Sequence, residues 1–205
     1  HQNAGRPAGR HLLQVARFQN LQLIQSIDNA ILLFIQEHLR SGFVNAVMIF
    51  FSAIGTLGLI WIAAGIAMLI TKKYRRTGIV LLVCLAATWV LNDLVIKTLI
   101  QRPRPYLSLH ELSILVPRRN DFSFPSGHTS TSFACAFVMA RMNGRRWAWV
   151  YIIAAMIALS RLFVGIHYPS DVLAGALFGT LSAAVISVLA LRLPFFRKSD
   201  HKSEE

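Results

Sequence analysis

The sequence predicts an all-α protein, a polytopic bundle of transmembrane helices, and three observations carry that expectation. Apolar residues make up 55% of the 205-residue chain and charged residues only 15%, against about 25% charged in a soluble domain. The stretch 43–70 contains no Asp, Glu, Lys, Arg or His over 28 residues, more than the roughly 20 a helix needs to cross a bilayer. A second uncharged run of spanning length covers 172–191.

The elements follow in order. Residues 1–20 are polar and Arg-containing and are expected to be weakly ordered; the chain opens on His1 instead of Met, as a processed or added end would. In 21–40, Leu21, Ile24, Ile27, Ile31, Phe34, Ile35 and Leu39 keep close to helical spacing, while Gln22, Gln25, Asp28, Asn29, Gln36 and Glu37 interrupt. That pattern predicts an amphipathic helix at the interface or against the bundle, with a polar, buried first span as the alternative. Five spanning helices follow at about 43–70, 78–97, 127–142, 147–165 and 170–192. The second should stop near Lys97, because Arg102 and Arg104 each precede a proline and are pushed towards extended backbone. The third starts after Pro125-Ser126, a helix-start signal with Ser126 near the N-cap. Gly175 and Gly179 in the last helix match the small-xxx-small pattern of close membrane contacts. Cys84 and Cys135 lie inside apolar spans and read as packing residues, neither a disulfide nor a metal pair. The expected division is a polar segment and amphipathic helix over 1–42, a membrane unit over 43–193 and a cytoplasmic tail over 194–205.

Net charge is +12, but the cations punctuate apolar segments instead of gathering on one polar domain, which argues against a nucleic-acid partner. Lys72, Lys73, Arg75, Arg76, Arg141, Arg145, Arg146, Arg192, Arg197, Lys198 and Lys202 would share one side, the cytoplasmic one by the positive-inside rule. Trp147 and Trp149 read as an interfacial belt there. Lys97, Arg102, Arg104, Arg118, Arg119 and Arg161 fall on the opposite, non-cytoplasmic side.

Three segments on that side carry chemistry. In Pro125-Ser126-Gly127-His128, the first turn of a helix offers unpartnered N–H groups, Gly127 lets an anion approach them, and His128 could give a proton to a leaving oxygen. Taken alone, this is also how an ordinary capped membrane helix with a stray histidine reads. In Ser160-Arg161-x5-His167-x3-Asp171, Arg161 is costly near the end of a span unless it meets water, a partner or an anion. Asp171 is spaced to orient the His167 imidazole, which makes His167 a candidate nucleophile towards phosphorus. A helix-start Asp beside a loop His is the plainer alternative. In Lys97-x6-Arg104-Pro105, a guanidinium fork on fixed backbone and a point charge suit phosphate oxygens, as they would anionic lipid headgroups. Asp93, four residues before Lys97, reads as its paired charge or as an aid to it. Arg102, Arg118 and Arg119 could meet a second phosphate or solvated headgroups. Asp121 and His110 read as loop residues.

In order and without a departure, these three segments resemble the signature of the type 2 phosphatidic acid phosphatase family: Lys-x6-Arg-Pro, Pro-Ser-Gly-His and Ser-Arg-x5-His-x3-Asp. The family comprises integral-membrane relatives of bacterial acid phosphatases and vanadium haloperoxidases. Each motif is weak singly; the trio across 97–171 is specific. The resemblance implies an acid phosphatase/haloperoxidase-like helical core with His167 as nucleophile, Asp171 as its partner and His128 as general acid. It implies phosphate binding by Lys97, Arg104, Ser126, Gly127 and Arg161, with no metal and no cofactor. It also implies six helices, so that 21–40 stands for the first of them, or that helix is truncated or missing.

The expected function is metal-independent hydrolysis of a lipid phosphate or diphosphate, with undecaprenyl diphosphate as the first substrate and phosphatidylglycerophosphate or phosphatidic acid as alternatives. The rival from another class is a lipid-phosphate transporter or binder, which would hold the headgroup but release no phosphate and would leave the His167/Asp171 pair without a purpose.

Overall fold

The computed structural model describes residues 7–192, with side chains from 19 onward; the tail cations Arg197, Lys198 and Lys202 lie outside the described residues. Helix α1 (Pro7–Phe34) begins well before the expected Leu21 and runs on through a π-helical turn, Ile35–Leu39. Its inward line is Asp28, Leu32 and Ile35, whereas Leu21, Ile24, Ile27, Ile31 and Phe34 stay exposed. The inward line lies against α9 (Pro169–Arg192).

The expected single helix over 43–70 is two. Helix α2 (Gly42–Ile54), capped by Ser41 Oγ accepting from the Val44 N–H at 3.3 Å, and α3 (Leu59–Ile70) meet at a 50° bend. Leu57 (φ 52°) and Gly58 (φ 69°) both take left-handed backbone there, which Gly58 adopts freely and Leu57 only at a cost. The bend passes close to two other helices: a Cβ on Gly55 would stand 2.7 Å from Ile157 Cγ2 and 3.2 Å from His128 Cδ2.

Helix α4 (Arg75–Trp89) starts slightly before the expected 78 and continues through a π-helical stretch, Val90–Ile96, into α5 (Lys97–Ile100). Helical geometry outlasts Lys97 by three residues and ends where Gln101 turns left-handed, just ahead of the two Arg-Pro steps. After the single turn α6 (Pro105–Ser108) come α7 (Gly127–Asn143), α8 (Val150–Phe163) and α9, close to the expected bounds.

Three helical runs among the described residues, Lys72–Ser108, Arg145–Phe163 and Pro169–Arg192, are long and apolar enough to cross a membrane, and the bent α2/α3 pair makes a fourth. The expected fifth, α7, does not qualify. At 17 residues it is about 25 Å long, shorter than the roughly 30 Å hydrocarbon core, and its first turns carry Thr129, Ser130, Thr131 and Ser132, all buried. It lies at the centre of the bundle between α4, α8 and α9, facing protein where the outer helices face lipid, so it needs no apolar periphery.

Gly179 seats α9 directly on α7. A Cβ there would stand 2.0 Å from the Ser130 carbonyl oxygen, and one on Gly175 would stand 2.8 Å from Ser126 O. Cys84 and Cys135 are free thiols buried in the core around Trp61, Val80, Leu81 and Val138. At one end of the bundle the Thr77 hydroxyl donates to Asn143 Oδ1 at 2.8 Å and the Tyr74 and Trp147 rings meet at 5.3 Å, which gathers the basic loops. The three sequence motifs lie at the other end.

Candidate functional site

One cavity of about 400 Å³ is lined by Lys97 and Arg104 from the first motif, Gly127 and His128 from the second and His167 from the third. Asp93, Arg119, Asp121 and Thr131 also line it, and the rest of the wall is apolar, with Leu57, Ile62, Leu82, Leu85 and Trp89 from the bend, α3 and α4. Both imidazoles therefore face one space that is basic at one end and hydrocarbon at the other.

Two carboxylates hold the cations. Lys97 Nζ donates to Asp93 Oδ1 at 2.5 Å, one helical turn back, and to Asp121 Oδ2 at 2.7 Å. Arg104 is 1% exposed. It donates from Nη2 to Asp121 Oδ1 at 2.7 Å, from Nε to the Asp121 carbonyl at 3.0 Å and from Nη1 to the Ile166 carbonyl at 2.7 Å. Arg119 Nε completes the group 3.6 Å from Asp121 Oδ1. Burial alone would raise the Asp121 carboxyl, but Lys97 and Arg104 overcome it and hold the group far below the usual carboxylate range. Asp93 stands beside the positive end of α7, where a Cβ on Gly127 would lie 2.9 Å from its Oδ2.

His167 is 2% exposed, in the loop between α8 and α9. Its Nδ1 faces Asp171 Oδ2 at 3.6 Å, an electrostatic contact longer than a hydrogen bond. Its Nε2 faces Arg104 Nη1 at 3.3 Å, and both residues line the cavity. Burial pushes the imidazole down to about 3; Arg104 and Arg161 add to this and Asp171 only partly opposes it. The ring is therefore neutral at pH 7, the state a nitrogen nucleophile requires. His128 Nε2 is buried without a hydrogen-bond partner among the described residues, leaving one ring nitrogen free for proton transfer.

Two expected phosphate ligands stand apart from that cavity. Ser126 is fully buried beneath it. It occupies the N-cap position of α7 but its side chain does not cap, accepting instead from Thr129 Oγ1 at 2.9 Å. Arg161 donates to Ser52 Oγ on α2 and lines a neighbouring cavity with Arg118 and Arg119; its Nε has no partner among the described residues. Arg119 borders both cavities and links them.

Sequence reasoning missed Asp121 and misread Arg102. Arg102 meets neither a second phosphate nor solvent headgroups; it is bonded to Asp171 and Asp28. The signal for Asp121 was charge bookkeeping: buried Lys and Arg need counter-anions, and Asp121 is the acid between Arg119 and the Pro125-Ser126-Gly127-His128 segment. No comparable signal linked Arg102 to Asp28, 74 residues away.

Comparison with known proteins gives the family and the fold. A family model described as PAP2 superfamily matches residues 76–194. An undecaprenyl-diphosphatase of Sulfolobus acidocaldarius is 33% identical over 66% of this chain and 66% of its own length. The bacitracin transport permease protein BcrC of Bacillus licheniformis is 30% identical over 76% of this chain and 73% of its own. A crystal structure of a transmembrane PAP2 type phosphatidylglycerolphosphate phosphatase from Bacillus subtilis superposes with a TM-score of 0.67 at 25% identity, covering 89% of this chain and 98% of that one.

Proposed function

We propose that this chain, which belongs to the PAP2 superfamily and is a membrane lipid phosphatase, cleaves the terminal phosphate of a prenyl diphosphate such as undecaprenyl diphosphate through a phosphohistidine at His167. The observation that carries this reading is the single cavity in which both imidazoles, Lys97 and Arg104 adjoin a wall of Leu57, Ile62, Leu82, Leu85 and Trp89. A phosphate between the two rings has cations beside it, and a hydrocarbon tail has an apolar path away from it.

The chemistry follows from which atoms face inward. His167 Nε2 attacks phosphorus, the bond from phosphorus to the lipid-side oxygen breaks, and His128 protonates that oxygen as it leaves. Asp171, beside Nδ1, favours the imidazolium-like phosphohistidine. Water, deprotonated by His128, then cleaves the phosphorus–nitrogen bond and releases inorganic phosphate. Lys97 and Arg104 bind the phosphoryl oxygens beside the first turn of α7 at Gly127, so that fixed cations do the work Mg²⁺ does in other phosphoryl transfers.

The substrate follows the names of the relatives. The Sulfolobus acidocaldarius protein is an undecaprenyl-diphosphatase and the Bacillus subtilis structure a phosphatidylglycerolphosphate phosphatase, so phosphatidylglycerophosphate is the alternative those names give and phosphatidic acid the one the motifs leave open. The Bacillus licheniformis relative is named a transport permease; a binder or transporter would hold the lipid without liberating phosphate. We further place the cavity on the non-cytoplasmic side, with the tail 194–205 opposite.

Purified protein in detergent with excess chelator is expected to release phosphate fastest from undecaprenyl diphosphate among the three lipids. His167→Ala is expected to remove the activity. Retention of near wild-type turnover by that variant would overturn the mechanism, and loss of activity with chelator would overturn metal independence.

A further inference from the structure

We propose that Arg102 and Asp28 are positioning residues of the active site, a buried charge chain through which the N-terminal helix holds Asp171 ionised and aimed at His167. The inference rests on the phosphatase reading above and adds residues outside the three motifs.

Asp171 is fully buried. A carboxylate in that position is tolerated only when charge and hydrogen bonds compensate it. Ser123 Oγ and the Tyr168 N–H donate to Oδ2, the latter at 2.9 Å, so the oxygen facing His167 is fixed by neutral donors. The compensating charge comes from Arg102, whose Nη1 donates to Asp171 Oδ1 at 2.6 Å. Without it the carboxyl would be driven to take up a proton or to rotate, and a neutral acid cannot stabilise a cationic imidazole.

Arg102 is itself held from outside the motifs. Its Nη2 donates to Asp28 Oδ2 at 2.7 Å and to Gln25 Oε1 at 2.8 Å, both on α1, and its guanidinium lies 4.0 Å from the centre of the Tyr168 ring. Asp28, 2% exposed, also accepts from the Ser170 N–H at 2.9 Å, at the start of α9 beside Asp171. With Nη1 also donating to Ser170 Oγ at 2.7 Å, the four bonds of the two Nη nitrogens all go to protein. Arg102 reaches the two carboxylates from separate nitrogens, Nη1 and Nη2, a rigid spread that one ammonium nitrogen does not share.

The test measures kcat and KM for phosphate release by wild type, Arg102→Ala, Arg102→Lys, Asp28→Asn and the double variant Arg102→Ala/Asp28→Asn, with His167→Ala alongside. Arg102→Ala should lose on the order of 10- to 100-fold in kcat, by analogy with the outer partners that orient metal-bound imidazoles, with KM nearly unchanged. Arg102→Lys should recover part of that loss, Asp28→Asn should show a smaller loss in kcat, and the double variant should be no worse than Arg102→Ala. Should Arg102→Ala not fold, as judged by size-exclusion and thermal unfolding, the split between kcat and KM in Arg102→Lys and Asp28→Asn decides. The inference is overturned if these variants keep wild-type kcat, if the loss falls on KM, or if the two substitutions act additively. A His167→Ala enzyme that stays active would instead overturn the phosphohistidine reading, whatever Arg102 does.

Discussion

Replacing Gly179 by Ala tests the helix contact on which the whole site is hung. The added Cβ would stand 2.0 Å from Ser130 O, 2.7 Å from Ser130 C and 2.9 Å from its Cα, all backbone atoms that cannot turn aside. Restoring an ordinary contact requires α9 and α7 to part by about 1 Å or more, and overpacking of this kind costs about 1–3 kcal/mol. The better helix propensity of Ala returns at most about 1 kcal/mol of that. At about 2–4 °C per kcal/mol for a chain of this size, Gly179→Ala should lower the thermal midpoint in detergent by several degrees. It should also depress kcat, because α9 carries Asp171 and α7 carries His128. Gly42→Ala, where nothing lies within 4 Å of the added atom, serves as the neutral control. A Gly179→Ala protein with the midpoint and kcat of wild type would show that the close approach of α7 and α9 does not set the site.

Three further outcomes are expected. The buried His167 titrates near 3 when folded and near 6.5 when unfolded, so the unfolded chain binds the extra proton between those values. Stability should then be complete above about pH 6.5 and fall as the pH drops towards 3, with a flatter decline for His167→Gln in thermal scans. Because Asp121 occupies Lys97, Arg104 and Arg119, Asp121→Asn should tighten inhibition by orthovanadate about tenfold, the worth of one charge-assisted hydrogen bond, while lowering the midpoint of the inhibitor-free protein; weaker inhibition would mean that the carboxylate helps to bind anions. Single cysteines introduced at Leu107 and Lys73, both exposed, should react with an impermeant maleimide in intact cells at Leu107 only.

The sequence made the motif end and the basic end of the bundle legible because membrane helices alternate direction and charge marks their termini. It also grouped His128, His167, Lys97 and Arg104, since four residues of those types at fixed offsets seldom serve separate ends. The bend at 55–58 was hidden, because in an uncharged run glycines can mark either close packing or a break, and only the neighbours Ile157 and His128 decide which. The enclosure of α7 was hidden for a related reason. Hydropathy reports contact with lipid, and a helix sheathed by α4, α8 and α9 has little of it. Asp28 looked like an interruption in an amphipathic pattern, because its partner Arg102 is distant in the chain and the pairing is purely tertiary.

The enclosure of α7 has a consequence for biogenesis. This segment leaves the ribosome before α8 and α9 exist, and although its serines and threonines bond within the helix, to Asn92 and to Trp61, it is enclosed only when those neighbours stand around it. A polar stretch of this kind inserts poorly by itself, so it must shelter beside the insertion machinery or against α4 until the final third of the chain arrives. Proteins cut short before α9 should accordingly be degraded instead of accumulating as partial bundles, and the site would come into being last, at the moment the closing helix docks.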